Sequence, residues 1–312
     1  MELLLAALVA LLITGGFLSA FIARSPNLSV AATVFAGVFV QALPFLVMGV
    51  LVSGLVAAFV TPERLARWLP RRTGLAILAA GVGGAALPGC ECGSVPVARR
   101  LFDGAAGAAA LTFMLAAPAI NPVVLVATAV AFPGQPKMVL ARCLASLLTA
   151  VVMGAWWARW GRASWVTRRL PKLHDEAAPR WTVFTEAARH DFLQGASYLV
   201  IGAAAAAALR VLVPSWVFQH LVGHVAVAIV IMALLAVVLA LCSEADAFVA
   251  ASLTMLPLLP RLVFLVVGPA VDVKLFAMQA GMFGRNFAVR FAPATLAVAT
   301  TVATVVGLVV LR

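Results

Sequence analysis

Two short runs join sulfur to acid inside otherwise apolar sequence: Cys90-Glu91-Cys92, and Cys242-Ser243-Glu244-Ala245-Asp246 at an offset of 152 residues. Thiolates select soft or borderline ions such as zinc, copper(I) or trivalent arsenic, while carboxylates suit harder cations and protons. Side chains at i and i+2 diverge on a helix but can converge on one ligand in a loop. Cys90 and Cys92 are therefore read as flanking Glu91 in a non-helical turn. If Cys242 reaches the same region, three sulfurs and several carboxylates meet, with Cys90, Cys92, Cys242 and Glu244 as the candidate metal set. Cys143 stands alone in a plain apolar segment and is expected to be a packing residue.

Asn121 and Asp272 are a second matched pair, following Pro118 and Pro269. A helix broken there leaves free carbonyls on one side and free N–H groups on the other, so end charges of opposite sign face the gap. Such a gap suits an ion or polar substrate; the alternative is an Asn that merely satisfies the broken backbone. The substrate-binding set is thus Cys90, Glu91, Cys92, Asn121, Cys242, Glu244, Asp246 and Asp272. Within a membrane its four carboxylates would cost on the order of 10 kcal/mol if left unpaired, at about 2.5–3.5 kcal/mol each. Function is the first explanation for keeping them. The second is that Glu91 or Asp272 pairs with an arginine or with Lys274 to fix packing.

A membrane is the expected setting because 64% of the 312 residues are hydrophobic and only 11% are charged. A span needs about 20 apolar residues. Such stretches recur at 3–22, 31–60, 105–132, 138–158, 192–213 and 288–311. The net charge of +11 sits mostly at the ends of apolar segments, as expected of anchors to lipid head groups. No basic-aromatic module appears, which argues against nucleic acid. The N-terminus lacks a basic leader and its apolar run to Ile22 is too long for a signal core, so it reads as a retained span. Four cysteines within apolar sequence do not make a disulfide scaffold.

An internal repeat organises the chain. QALPFLVMG from Gln41 resembles QGASYLVIG from Gln194; LPGCECGSVPVA resembles LALCSEADAFVA; APAINPVVL resembles GPAVDVKLF. The three offsets stay between 151 and 153 residues. Weak internal symmetry of this kind recurs in transporters. The expected division is an N-terminal span in 1–28, repeat 1 in 29–160, a basic cytoplasmic linker in 161–191 and repeat 2 in 192–312. The loop 61–73 carries Arg64, Arg67, Arg71 and Arg72, and the linker is also basic, so the positive-inside rule puts both in the cytoplasm. Three full crossings between them would forbid that. A re-entrant hairpin over 74–103, with arms of 10–15 residues and its turn at Cys90-Glu91-Cys92, removes the conflict and returns Arg99 and Arg100 to the cytoplasmic side. Each repeat then has three spans and a hairpin, and the repeats are inverted; four ordinary spans in parallel repeats is the alternative.

Other features point to packing. His220 and His224 at i, i+4 are a weak metal signal. Trp156, Trp157 and Trp160 read as an interfacial aromatic belt. Gly81, Gly83, Gly84 and the run 104–110 read as close helix packing rather than phosphate cradles. No phosphate-binding loop, serine nucleophile elbow or HExxH is present, so an enzyme is not expected.

The run GCECGSVPVARRLFDGAAGAAALTFMLAAPAINPVVL resembles the bacterial predicted-permease family (ArsP/YraQ-like), which includes organoarsenical efflux permeases. The resemblance rests on Cys90, Cys92, Gly93, Val95, Pro96, Gly104, Gly107, Pro118, Asn121 and Pro122, in order, and extends over 31–312. It implies an all-α polytopic membrane protein acting as a permease. Glu91 stands where the family often has a small residue, which points to a metal cation or a proton-coupled solute.

The expectation is a secondary permease of the bacterial inner membrane, with seven full spans and two hairpins. It carries a soft or borderline metal or metalloid species at a central site between repeats. It needs no cofactor beyond a metal ion bound as substrate, and its partners are membrane lipid and the small solute. The alternative is a membrane subunit that anchors or delivers metal to a partner protein without transporting alone.

Overall fold

A computed structural model describes residues 25–59, 70, 72–85, 91–103, 107–166, 179–212, 225–241, 243–253 and 256–312. All regular structure among them is helical. The first half of the chain holds α1 (Pro26–Phe59), α2 (Thr73–Gly84), α3 (Glu91–Asp103), α4 (Gly107–Ile120), α5 (Pro122–Ala131) and α6 (Pro136–Trp160). The second half holds α7 (Arg180–Leu212), α8 (Val225–Leu239), α9 (Ser243–Ser252), α10 (Leu258–Ala270), α11 (Val273–Met282) and α12 (Arg285–Val310).

Among the described residues, four helical stretches are long and apolar enough to cross a membrane: Gly107–Ala131, Pro136–Trp160, Leu258–Met282 and Arg285–Val310. Two of these are the consecutive pairs α4–α5 and α10–α11, each interrupted once. The stretch Leu258–Met282 lies outside the apolar runs expected from sequence, because Pro260, Arg261, Asp272 and Lys274 dilute its hydropathy. All four of those residues are buried, so protein rather than lipid surrounds them. The arms α2 and α3 have 12 and 13 residues, about half the length of a span. The linker expected over 161–191 is helical from Arg180, where α7 begins.

Packing centres on the interrupted helices. α4 is flanked by α2, α3 and α6; α10 is flanked by α8, α9 and α12. The halves meet where α1 packs on α7, α6 on α12 and α4 on α10. They also cross, since α9 of the second half packs on α5 and α3 of the first half packs on α11. Two glycines make the reversals into the last helix of each half: Gly134 at φ 76° before α6 and Gly284 at φ 108° before α12. Only glycine adopts those angles without a Cβ penalty.

The core is large and almost wholly apolar, but it contains charge. Arg99, Arg142, Arg261, Asp246, Asp272 and Lys274 are all buried. Arg99, which the hairpin reading returns to the cytoplasmic side, is 1% exposed. Trp157 departs from the expected aromatic belt: it is buried and meets Phe102, Trp165 and Phe287 edge to face, while Trp160 is 57% exposed.

Candidate functional site

Proline makes the first interruption and side chains repair it. Pro118 inside α4 has no N–H, so the Met114 carbonyl loses its helical donor. Ser94 of α3 replaces it, donating from Oγ to that carbonyl at 3.2 Å. The helix then stops at Ile120, Asn121 turns extended (φ −66°, ψ 155°), and Pro122 opens α5 where a missing N–H costs nothing. Asn121 serves both ends of the break. Its Nδ2 donates to the Ala117 carbonyl at 3.1 Å, and its Oδ1 accepts from the Val124 N–H at 3.0 Å. No part of it reaches solvent.

The second interruption uses the same devices with a charge added. Pro269 lies inside α10, and Asp272 is extended (φ −143°, ψ 173°) before α11. Its Oδ1 accepts from the Leu275 N–H, the same i+3 cap that Asn121 makes. Its Oδ2 lies 3.6 Å from Lys274 Nζ, with both side chains buried. The pairing weighed from sequence between Asp272 and Lys274 is therefore present.

Helix α9 brings its acid to this break. Asp246 is 1% exposed, and its carboxylate lies against Gly268 so closely that a Cβ there would overlap Oδ2. Gly268 precedes Pro269 in the last turn before the gap. Just ahead of α9, Ala240 has φ 46°, a left-handed conformation that L residues other than Asn and Asp rarely adopt. Strain of this kind clusters at functional sites.

Two buried arginines complete the polar interior. Arg142 of α6 donates from Nη1 to the Thr128 hydroxyl at 2.6 Å and from Nη2 to the Ser243 carbonyl at 2.7 Å. Arg99 donates from Nε to the Met282 carbonyl at 2.9 Å, with its guanidinium 5.6 Å from the Phe283 ring centroid. An arginine at the centre of a span costs about 2.5–3.5 kcal/mol on insertion scales, so these bonds must offset a real penalty.

The predicted-permease family profile matches residues 27–310. The chain belongs to that family. A Streptococcus mutans protein, provisionally named a two-component membrane permease complex subunit, is 30% identical over 266 residues, covering 83% of this chain and 88% of that one. The UPF0718 protein YcgR of Bacillus subtilis is 32% identical over 262 residues, covering 82% and 89%. No solved structure matches. With its apolar helices, this permease is a multi-pass membrane protein of transporter type.

The site residues expected from sequence divide three ways in this permease. Asn121, Asp246 and Asp272 are buried at or beside the two breaks. Glu91, Cys92 and Glu244 lie in the first turns of α3 and α9, their side chains outside the described residues. Cys90 and Cys242 are outside them altogether, as are His220 and His224. The expected non-helical turn at Glu91 and Cys92 is corrected, because α3 already begins at Glu91. An acid there complements the positive end of the helix. Among the described residues no group of three or more His, Cys, Asp or Glu side chains gathers to hold a metal ion. Cys143 lines an apolar groove with Leu125, Phe132 and Pro136.

Sequence reasoning missed Ser94, Thr128, Arg99 and Arg142. A basic residue within the apolar run 138–158 was the available signal for Arg142. Ser146 Oγ, Arg261 Nε and Gln279 Oε1 are buried without a hydrogen-bond partner among the described residues.

Proposed function

We propose that this chain is a secondary permease of the inner membrane that moves a soft or borderline metal or metalloid species between two inverted repeats. The cargo is held by Cys90, Cys92, Cys242 and Glu244. Glu91, Asp246, Asn121 and Asp272 shape the polar path and couple it to protons. The observation that carries the reading is the pair of breaks at Asn121 and Asp272. Each follows a proline-bearing apolar helix, each is capped by a side chain on an i+3 N–H, and each opens a ten-residue half-helix. Irregular backbone at membrane depth persists where protein or a watery cavity satisfies it, and in transporters such breaks line the substrate site. The repeat reading is supported by order and packing, because α2 through α6 correspond in sequence to α8 through α12. The crossed contacts α5–α9 and α3–α11 are each other's counterparts under that correspondence.

The test is flux into proteoliposomes containing only this chain, with radioactive zinc, copper(I) and trivalent arsenic as separate probes. Uptake of at least one, lost in Cys90→Ser, Cys92→Ser and Cys242→Ser but kept in Cys143→Ser, is the expected result. Full flux in all three serine variants would remove the sulfur site. A second reading is favoured by the Streptococcus relative's name: a membrane subunit that passes metal to a partner protein. Metal bound by the purified chain, with no flux until a second protein is added, would select it.

A further inference from the structure

The two crossed helix pairs share a feature that their sequences do not advertise. Each is tied by a buried arginine to a backbone carbonyl in the second half of the chain. In the pair α3–α11, Arg99 of α3 donates to Met282, the last residue of α11. That carbonyl belongs to the negative end of the helix, where a cation is favoured. In the pair α5–α9 the arginine comes from a third helix, α6, and reaches both members: Thr128 on α5 and Ser243 on α9.

The bonds of Arg142 continue a directed chain. Asn121 Oδ1 accepts from the Val124 N–H, and the Val124 carbonyl accepts from the Thr128 hydroxyl at 2.7 Å. With its proton committed to Val124, the Thr128 oxygen is left as an acceptor, and Arg142 Nη1 fills it at 2.6 Å. Nη2 of the same guanidinium then reaches the Ser243 carbonyl, 101 residues away in sequence. One end of the chain is the first break. The other is the first turn of α9, which carries Glu244 and Asp246.

We propose that Arg142 is a positioning residue that holds the half-helix α5 and the acidic first turn of α9 as one unit across the two halves. The planar fork is what permits this, since two donors on one rigid group set the separation and angle of their acceptors. A lysine would bring the same charge, but its three donors turn about one nitrogen and fix neither the separation nor the angle of two acceptors. The permease reading enters only in what the positioned turn is for. α5 and α9 pack directly on each other as well, so removing either bond should loosen, rather than abolish, their mutual order.

Hydrogen exchange of the full-length protein in lipid nanodiscs, read by mass spectrometry over 122–131 and 243–252, tests this without any cargo. Thr128→Val keeps the shape and the helix but removes the acceptor for Nη1. It should speed exchange in 243–252 by about tenfold, the effect of losing one hydrogen bond to a charged group. Thr149→Val on α6 is the control, because that hydroxyl donates only to Ala145 within its own helix at 2.7 Å and should leave 243–252 unchanged. Arg142→Gln should match or exceed Thr128→Val, and Arg142→Lys should fail to rescue it. Unchanged exchange in 243–252 for Thr128→Val overturns the inference, even if the arginine variants do not fold. Full protection in Arg142→Lys overturns it too, because charge alone would then suffice. Both results are independent of zinc, copper or arsenic flux, so the inference and the proposed function can fail separately.

Discussion

Gly83 and Gly84 are neighbours at the end of α2, and the same substitution should act on them with opposite sign. A Cβ added at Gly83 meets nothing within 4 Å. Alanine there gains helix propensity without a clash, stabilising by about 0.5 kcal/mol this close to a helix end. A Cβ at Gly84 would stand 2.8 Å from the Ala117 nitrogen and 3.0 Å from the Ala116 Cβ. Both belong to the body of α4, so no side chain can rotate away and the helices must separate. Overpacking of this kind costs about 1–3 kcal/mol, which exceeds the propensity gain. The two variants should therefore differ by about 2 kcal/mol, or about 3 °C in melting temperature for a chain of this length. Ala117 also accepts the bond from Asn121, so Gly84→Ala should loosen the first break. Tryptophan-fluorescence melts of the purified protein in detergent measure the first effect, and hydrogen exchange over 117–125 measures the second. If Gly84→Ala melts with or above Gly83→Ala, the close approach of α2 to α4 is wrong.

Asp272→Asn keeps the helix cap but removes the negative charge that faces Lys274, and breaking a buried pair from one side costs about 3–5 kcal/mol; Asp272→Asn with Lys274→Met should recover most of that in the same melt. Ser94→Ala leaves the Met114 carbonyl without either donor and should cost about 1–3 kcal/mol, whereas Ser94→Thr should be milder. Ala240→Val forces a β-branched residue into the left-handed region and should lower stability by about 2 kcal/mol, while Ala240→Gly should not lower it; equal melts for the two would mean that φ 46° is not strained.

What the sequence determined by itself was local in origin. Hydropathy is a property of neighbours along the chain, so α1, α4–α5, α6, α7 and α12 were all visible as apolar runs. The breaks were equally legible. Proline removes its own N–H, and Asn or Asp caps a helix three residues ahead, so Pro118 with Asn121 and Pro269 with Asp272 announce the interruptions without tertiary help. The span Leu258–Met282 was obscured because its polar residues lower a windowed average while their burial hides them from lipid. Charge was misjudged for the same reason. A basic residue counts identically in sequence whether it meets lipid head groups or, like Arg99, a carbonyl 183 residues away at Met282.

Tertiary structure alone decided which groups answer each other. The donor that replaces the N–H missing at Pro118 comes from Ser94 on another helix. Gly268 is bare because a carboxylate from α9 occupies the place of its side chain. Arg142 joins acceptors 14 and 101 residues away, on helices that meet only because the halves cross. Each of these pairings depends on close packing between segments remote in the chain, and a hydrogen bond is lost with a displacement of about 1 Å. No periodicity or composition encodes a distance of that kind, whereas the plainly apolar helices and both breaks follow from covalent chemistry within a few residues.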